Sequence, residues 1–162
     1  MPLADPRRIH GGAKLLLDTC VYVDTASGRL PAETKSLPDR RVNFHSAVSL
    51  AELTLALDEL APDEPRYAER RAFLRDAIAR MARDDRIVSP DDQGWALAGA
   101  LAGLLSRTQG FGREQRRKAL ADCLIYVTAM RNGLILLTAN VAEFDLLHQL
   151  LPEARVAFYR PL

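Results

Sequence analysis

Three carboxylates stand alone in apolar surroundings. Asp18 ends the run "KLLLD", Glu52 is the only charge in "AVSLAELTLAL", and Asp122 is the only charge in "ALADCLIYVTAM". Segments this apolar are expected to be buried over much of their surface. A lone ionised carboxylate is costly there unless it is paired or bound to a metal. If the three converge, they also repel one another. A hard divalent cation resolves that repulsion, because Mg²⁺ or Mn²⁺ prefers oxygen ligands and few protein contacts. Such an ion keeps positions open for water and phosphate. It can activate water and stabilise charge on a phosphodiester, so no nucleophilic Ser, Cys or His is required.

Each acid also has a plainer reading. Asp18 is good chemistry for the N-cap of a following helix. Glu52 lies three residues after Ser49, the spacing of a capping box, although the helix pattern starts nearer Ser46. Asp122 could pair with an arginine from a neighbouring helix. Asn140, followed by Glu143, has the spacing of an N-cap with its return partner, and a cap can also face a site. Sharing one cation accounts for the three acids together, where the plainer readings need a separate partner for each.

The elements that must position these residues alternate. "AKLLL" reads as a short buried strand and "TCVYVDTA" as the helix after it. "SGRLPAETKSLPDRR" reads as a loop by its Gly, Pro and Ser content. "VNFHS" is a second strand, "AVSLAELTLALDEL" a helix, and "RYAERRAFLRDAIARMARDD" an amphipathic helix with a charged outer face. "RIVSP" is a candidate short strand, and "DDQGWALAGALAGLLSRTQ" a helix rich in small residues. "GFGREQRRK" reads as a basic loop running into the helix "ALADCLIYVTAMRNG", with Gly133 as its C-terminal stop. "LILLTAN" is a buried strand, "VAEFDLLHQLL" a short helix and "RVAFY" a last strand. Strands alternating with helices imply a mostly parallel sheet covered on both faces. Ligands bind beyond the carboxyl ends of such strands, and Asp18 and Asn140 both fall there.

The 162 residues suffice for one domain with a sizeable core. Residues 1–12, with two prolines and two glycines, read as a loose tail, and 13–162 as the domain. The net charge of +1 says little, and arginine far outnumbers lysine. Arginine suits bidentate phosphate contacts, but a GC-rich genome gives the same bias. No signal peptide precedes "KLLLD" and no apolar run is long enough to span a bilayer. The expectation is a cytoplasmic protein whose Cys20 and Cys123 are reduced thiols. Its three histidines form no zinc motif.

With Asp18, Glu52, Asp122 and Asn140 in this order and context, the chain resembles a PIN domain, and most closely the VapC-type toxins of type II toxin–antitoxin pairs. The matching pieces are "LLLDTCVYVD", "SAVSLAELTLAL", "LADCLIYVTAMRNGLILLTANVAEF" and "RVAFY", which span nearly the whole chain in the family's order. The resemblance implies a three-layer α/β/α sandwich around a mostly parallel sheet. It implies a Mg²⁺- or Mn²⁺-dependent endoribonuclease that hydrolyses RNA phosphodiesters with metal-activated water, leaving a 5′-phosphate and a 3′-hydroxyl. Asp18, Glu52 and Asp122 match the three acidic ligand positions. Asn140 falls where many members carry a fourth acid, with Asn also found there, so this site has one negative charge fewer. Thr138 matches a hydroxyl position close to the site. Asp145 is a further acid nearby, or a solvated helix residue. The implied partners are the RNA, a second copy in a homodimer, and a small antitoxin that inserts a C-terminal segment near the active site. The helical middle, roughly Ser46 to Arg83, would form the antitoxin groove and part of the dimer surface.

Other residues bear on substrate. Arg113, Arg116, Arg117 and Lys118 directly precede the Asp122 helix and are candidates for neutralising RNA phosphates. The alternative is a solvated helix start. Arg40 and Arg41 carry the same two readings. Tyr22 and Phe111 are candidates for stacking on bases, with a core role fitting Tyr22 as well. Cys20 and Cys123 adjoin the acids, where a redox-sensitive site is conceivable and inert buried thiols are the simpler reading. Two other classes compete with the nuclease. One is a catalytically silent PIN-like module that binds a partner. The other is a phosphoacceptor receiver, which would carry paired acids after its first strand and a lysine after a later one. The sequence shows a single acid in the first place and "TAN" in the second. A P-loop enzyme is excluded, because no Gly-rich run ends in Lys followed by Ser or Thr.

Overall fold

A computed structural model describes residues 12–39, 42–83 and 85–162. The tail expected at the N-terminus lies outside the described residues up to residue 11, as do Arg40 and Arg41. The strand β1 (Lys14–Leu17) sits at the centre of the sheet. Leu15, Leu16 and Leu17 are all buried, because successive side chains point to opposite faces and both faces are covered. Leu16 joins one hydrophobic cluster, and Leu15 and Leu17 join the other.

β1 pairs in parallel with β2 (Val42–Ser46) on one side and β4 (Ile135–Thr138) on the other. β2 pairs with β3 (Ile87–Val88) and β4 with β5 (Arg155–Phe158), again in parallel. The order is β3-β2-β1-β4-β5. Every pairing among the described residues is parallel, so the sheet is parallel throughout where "mostly parallel" was expected. The helices are α1 (Thr19–Ala26), α2 (Ala32–Asp39), α3 (Ala47–Glu59), α4 (Tyr67–Arg83), α5 (Asp92–Gln109), α6 (Arg113–Arg131) and α7 (Val141–Leu150). Buried residues of α5, α6 and α7 cover the face of Leu16, Leu136 and Val156. Buried residues of α1 to α4 cover the face of Leu15, Leu17, Ile135 and Leu137. The expected three-layer α/β/α sandwich is what the structure shows. Among the described residues no helix is long and apolar enough to cross a membrane.

The chain steps outward from β1 to β2 to β3, then crosses back to β4 beside β1. That reversal puts the topological switch point, the place where ligands bind in open α/β sheets, between the carboxyl ends of β1 and β4. Asp18 follows β1 and Asn140 closely follows β4.

Two expectations about local structure are corrected. The segment read as a loop from Ser27 contains α2, whose first turn is tied by the amides of Thr34 and Lys35 donating to the Pro31 carbonyl. Only Thr34 and Leu37 among its described side chains are buried, too sparse an apolar pattern to outweigh Pro31 and Pro38 in the sequence. The basic loop is only three residues long, because α6 begins at Arg113. Gln115 donates the reason: its Oε1 accepts from the Gly112 amide at 2.9 Å and closes the helix start.

Candidate active site

Asp18 takes the capping role that its sequence context offered, and it does so at the switch point. It is the N-cap of α1, with Oδ1 accepting from the Thr19 amide at 2.7 Å. Its Oδ2 accepts from Thr138 Oγ1 at 2.6 Å and from Cys20 Sγ at 3.0 Å. Leu17 and Leu137 are register partners, and the next residues on both strands are therefore neighbours at the switch point. The Asp18 amide donates to the Leu137 carbonyl at 3.1 Å, which locks this register. Burial raises the Asp18 pKa, against the pull of the Thr138, Cys20 and Thr19 hydrogen bonds.

Glu52 reaches the same place from α3. Its Oε2 accepts from Thr19 Oγ1 at 2.5 Å, so Thr19 joins Glu52 to the residue adjoining Asp18. Burial raises the Glu52 pKa first, and the Asp18 charge adds to it. The capping-box reading is corrected: Ser46 is the cap of α3 and accepts from the Val48 amide at 3.1 Å. The Ser49 hydroxyl is buried and accepts nothing.

Asp122 enters from α6. Its pKa is pushed up to about 8, chiefly by burial and then by the charges of Asp18, Glu143 and Glu52, with Lys118 pulling down. Those electrostatic couplings place four acids in one neighbourhood. The Asp122 Oδ2 atom is buried with no hydrogen-bond partner, so an arginine from a neighbouring helix does not satisfy it. Lys118 lies one helical turn earlier on the same face. It pairs with Glu143 at 3.8 Å and is the cation whose field reaches Asp18, Glu52 and Asp122.

Glu143 is the residue that sequence reasoning passed over. Its spacing suits the return partner of an Asn140 cap, but Asn140 makes no side-chain cap bond. Glu143 instead faces Lys118 and lines a cleft with Asp122. The available signal was its position in the first turn of the helix that follows a central strand. Asn140 is half-buried at the start of α7, and its amide donates to Thr138 Oγ1 at 2.9 Å. Asp145 accepts from Gln149 on the surface of α7, its plainer reading.

Thr138 is fully buried and holds two elements at once. Thr138→Val removes the donor to Asp18 and the acceptor for Asn140 without changing volume much. We expect it to cost about 1–3 kcal/mol, the penalty for leaving such a buried group unsatisfied. A urea denaturation midpoint that falls with an unchanged slope would record this.

The remaining candidates divide. Arg113, Arg116 and Arg117 are exposed on the first turns of α6. Arg116 Nε donates to the Phe111 carbonyl at 2.9 Å, and Arg117 lines an apolar groove with Trp95. Tyr22 is buried, and its hydroxyl meets His45 Nδ1 at 2.6 Å, so it belongs to the core and offers no face to a base. Cys20 and Cys123 are both pushed up to about 12 by burial, with Asp18 and Asp122 adding to it respectively. Such thiols are inert at neutral pH.

Among the described residues, no three His, Cys, Asp or Glu side chains are already gathered closely enough to hold an ion. The donor set suits a hard divalent cation all the same. It is all-oxygen, it is short of positive charge, and Asp122 Oδ2 is a buried acceptor without a donor. Such a cation would relieve the burial that raises the Asp18, Glu52 and Asp122 pKa values.

No family model and no curated protein sequence matches the chain. Solved structures do. A chain of the VapBC2 complex of Rickettsia felis, bound to a DNA fragment of its promoter, superposes with a TM-score of 0.61 at 18% identity, covering 90% of this chain and 98% of that one. A chain of VapBC-5, a toxin–antitoxin system member from Mycobacterium tuberculosis, gives 0.58 at 19% identity, covering 91% and 99%. FitAcB from Neisseria gonorrhoeae gives 0.61 at 21% identity, covering 88% and 96%. At these identities the likeness establishes the PIN-like fold.

Proposed function

We propose that the protein is the toxin of a toxin–antitoxin pair, a metal-dependent endoribonuclease of VapC type. The observation that carries this reading is the buried, unpartnered Asp122 Oδ2 set among Asp18, Glu52 and Glu143. The whole-length likeness to chains of toxin–antitoxin complexes supports it. Asp18, Glu52 and Asp122 would hold Mg²⁺ or Mn²⁺, with Asn140 beside them as a ligand or a holder of water. When bound, the ion lowers the pKa of water and neutralises charge on the scissile phosphate.

The chain's own residues do the rest. Thr138 and Cys20 fix the Asp18 carboxylate, and Thr19 fixes Glu52. Lys118 is largely exposed and its bond to Glu143 is long, so its ammonium is free to meet a phosphate oxygen. Arg113, Arg116 and Arg117 extend the positive surface along α6 for the flanking phosphates. A small antitoxin, a second copy of the chain and an RNA strand are the proposed partners, and the cytoplasm the proposed compartment.

Purified protein incubated with RNA tests the reading. Cleavage is expected with Mg²⁺ or Mn²⁺, none with excess EDTA, and the new ends should carry a 5′-phosphate and a 3′-hydroxyl. Ends bearing a 2′,3′-cyclic phosphate would show that the RNA's own hydroxyl is the nucleophile, and the reading would fall.

A further inference from the structure

The cleft beside Asp122 has a wall that acid chemistry does not need. Phe111, Gln115, Lys118, Ala119, Asp122 and Glu143 line about 190 Å³. That is below the roughly 300–1,000 Å³ of pockets for drug-sized ligands, and suits one planar ring better than a base pair. Phe111 forms one end. It is half-buried, with one side packed on the core between α5 and α6. Its amide donates to the Ser106 carbonyl at 3.2 Å and its carbonyl accepts from Arg116 at 2.9 Å, so the ring is held on a fixed backbone.

Glycines stand on both sides of it. Gly110 has φ +66 as the left-handed C-cap of α5, a conformation that favours glycine. A Cβ there would meet nothing within 4 Å, and the open space at Phe111 itself is the cleft that it lines. Gln115 spends its Oε1 on the Gly112 amide. Its amide is thereby oriented, with the two Nε2 hydrogens left for an outside acceptor. Lys118 stands between this wall and the acids.

We propose that this cleft is a subsite for one unpaired nucleobase of a single-stranded RNA, stacked on Phe111 and hydrogen-bonded by Gln115 Nε2, next to the phosphate at the acid cluster. The inference rests on the nuclease reading of the adjoining acids. Stacking on a held aromatic tolerates any base, because every base has a π-face. Gln115 Nε2 adds a hydrogen bond to a ring-nitrogen or carbonyl acceptor, which every base also presents. A paired base cannot enter, so duplex RNA is excluded by shape.

Fluorescence anisotropy of a labelled single-stranded oligoribonucleotide, with Ca²⁺ in place of Mg²⁺, tests it on the full chain. Phe111→Ala and Phe111→Leu should both weaken binding about tenfold, within the range measured for loss of one base–aromatic stack. Gln115→Glu, which keeps the acceptor for Gly112 and removes the donors, should weaken it by a smaller factor. The parent should bind a blunt duplex of the same sequence more weakly than the single strand. Phe111→Leu keeps the apolar packing, so binding lost in Phe111→Ala and restored in Phe111→Leu would assign Phe111 to the core and overturn the proposal. Unchanged affinity in both variants, no binding by the parent, or equal binding of the duplex would overturn it as well. Phe111-dependent binding without cleavage in Mg²⁺ or Mn²⁺ would sink the nuclease reading alone, and cleavage indifferent to Phe111 would sink the subsite alone.

Discussion

Asp122→Asn should abolish RNA cleavage and, in the same protein, raise the stability of the ion-free fold at alkaline pH. The two effects have one cause. The Asp122 carboxyl is buried beside other acids, and its pKa stands at about 8 against the ordinary 3.8. Between those values the folded chain holds a proton there that the unfolded chain has released. Stability therefore falls as pH rises from about 4 to about 8, and the full cost is present above that. Its ceiling is roughly 6 kcal/mol, from the conversion of a pKa difference to free energy. Asparagine has the shape of the protonated acid and no charge to lose, so the variant should escape this slope. Cleavage should drop by roughly a thousandfold or more, because loss of an ion ligand removes several kcal/mol of charge stabilisation. Melting curves of both proteins in EDTA, taken from pH 5 to pH 9, should diverge as pH rises. Parallel curves, or a variant that cleaves at the parent rate, would contradict the role given to Asp122.

Burial read from composition holds for the segments of Asp18 and Asp122, whereas α3 around Glu52 buries only Ser49 and Leu53. Asp18, Glu52 and Asp122 each interrupt an apolar stretch, and Asp18 stands at the switch point with Glu52 tied to its neighbour Thr19 and Asp122 within reach of its charge. A cluster assembled from distant segments is legible only when each member is anomalous in its own segment. Glu143 is not: an acid in the first turn of a helix is ordinary, and its relation to Lys118 exists only through the packing of α6 and α7. Lys118 is one of four cations that look equivalent in the sequence, yet its place one turn before Asp122 turns it towards the acids. The helix α2 was hidden for a different reason. Its prolines dominate local reasoning, while the contacts that hold Thr34 and Leu37 are tertiary. The parallel sheet was legible from its apolar runs, but the strand order, which sets where the site lies, was not.

Mn²⁺ should stabilise the protein, and the size of the gain should depend on pH. An ion that binds only the folded state at a hundred times its dissociation constant adds about 2.7 kcal/mol. For a chain of this length that is a rise of roughly 5–10 °C in Tm. Below about pH 8 the ion must displace the proton held by the Asp122 carboxyl. Its apparent affinity should then rise roughly tenfold per pH unit towards that value and level off beyond it. The metal and the proton compete for one buried oxygen pair, so the ion should recover the stability that alkaline pH removes. Asp122→Asn should abolish this pH dependence, and Asp18→Asn should lose most of the Mn²⁺ gain, because Asp18 is held in place by Thr138 whether or not an ion is present. A silent binding module with the same fold would show no gain at any pH. A bound ion would fix Glu52 and Asp122, so the amides of α3 and α6 around them should become more protected from hydrogen exchange when Mn²⁺ is added. A gain in Tm equal in the parent and in both Asn variants would place the ion elsewhere and break the link between these acids and the metal.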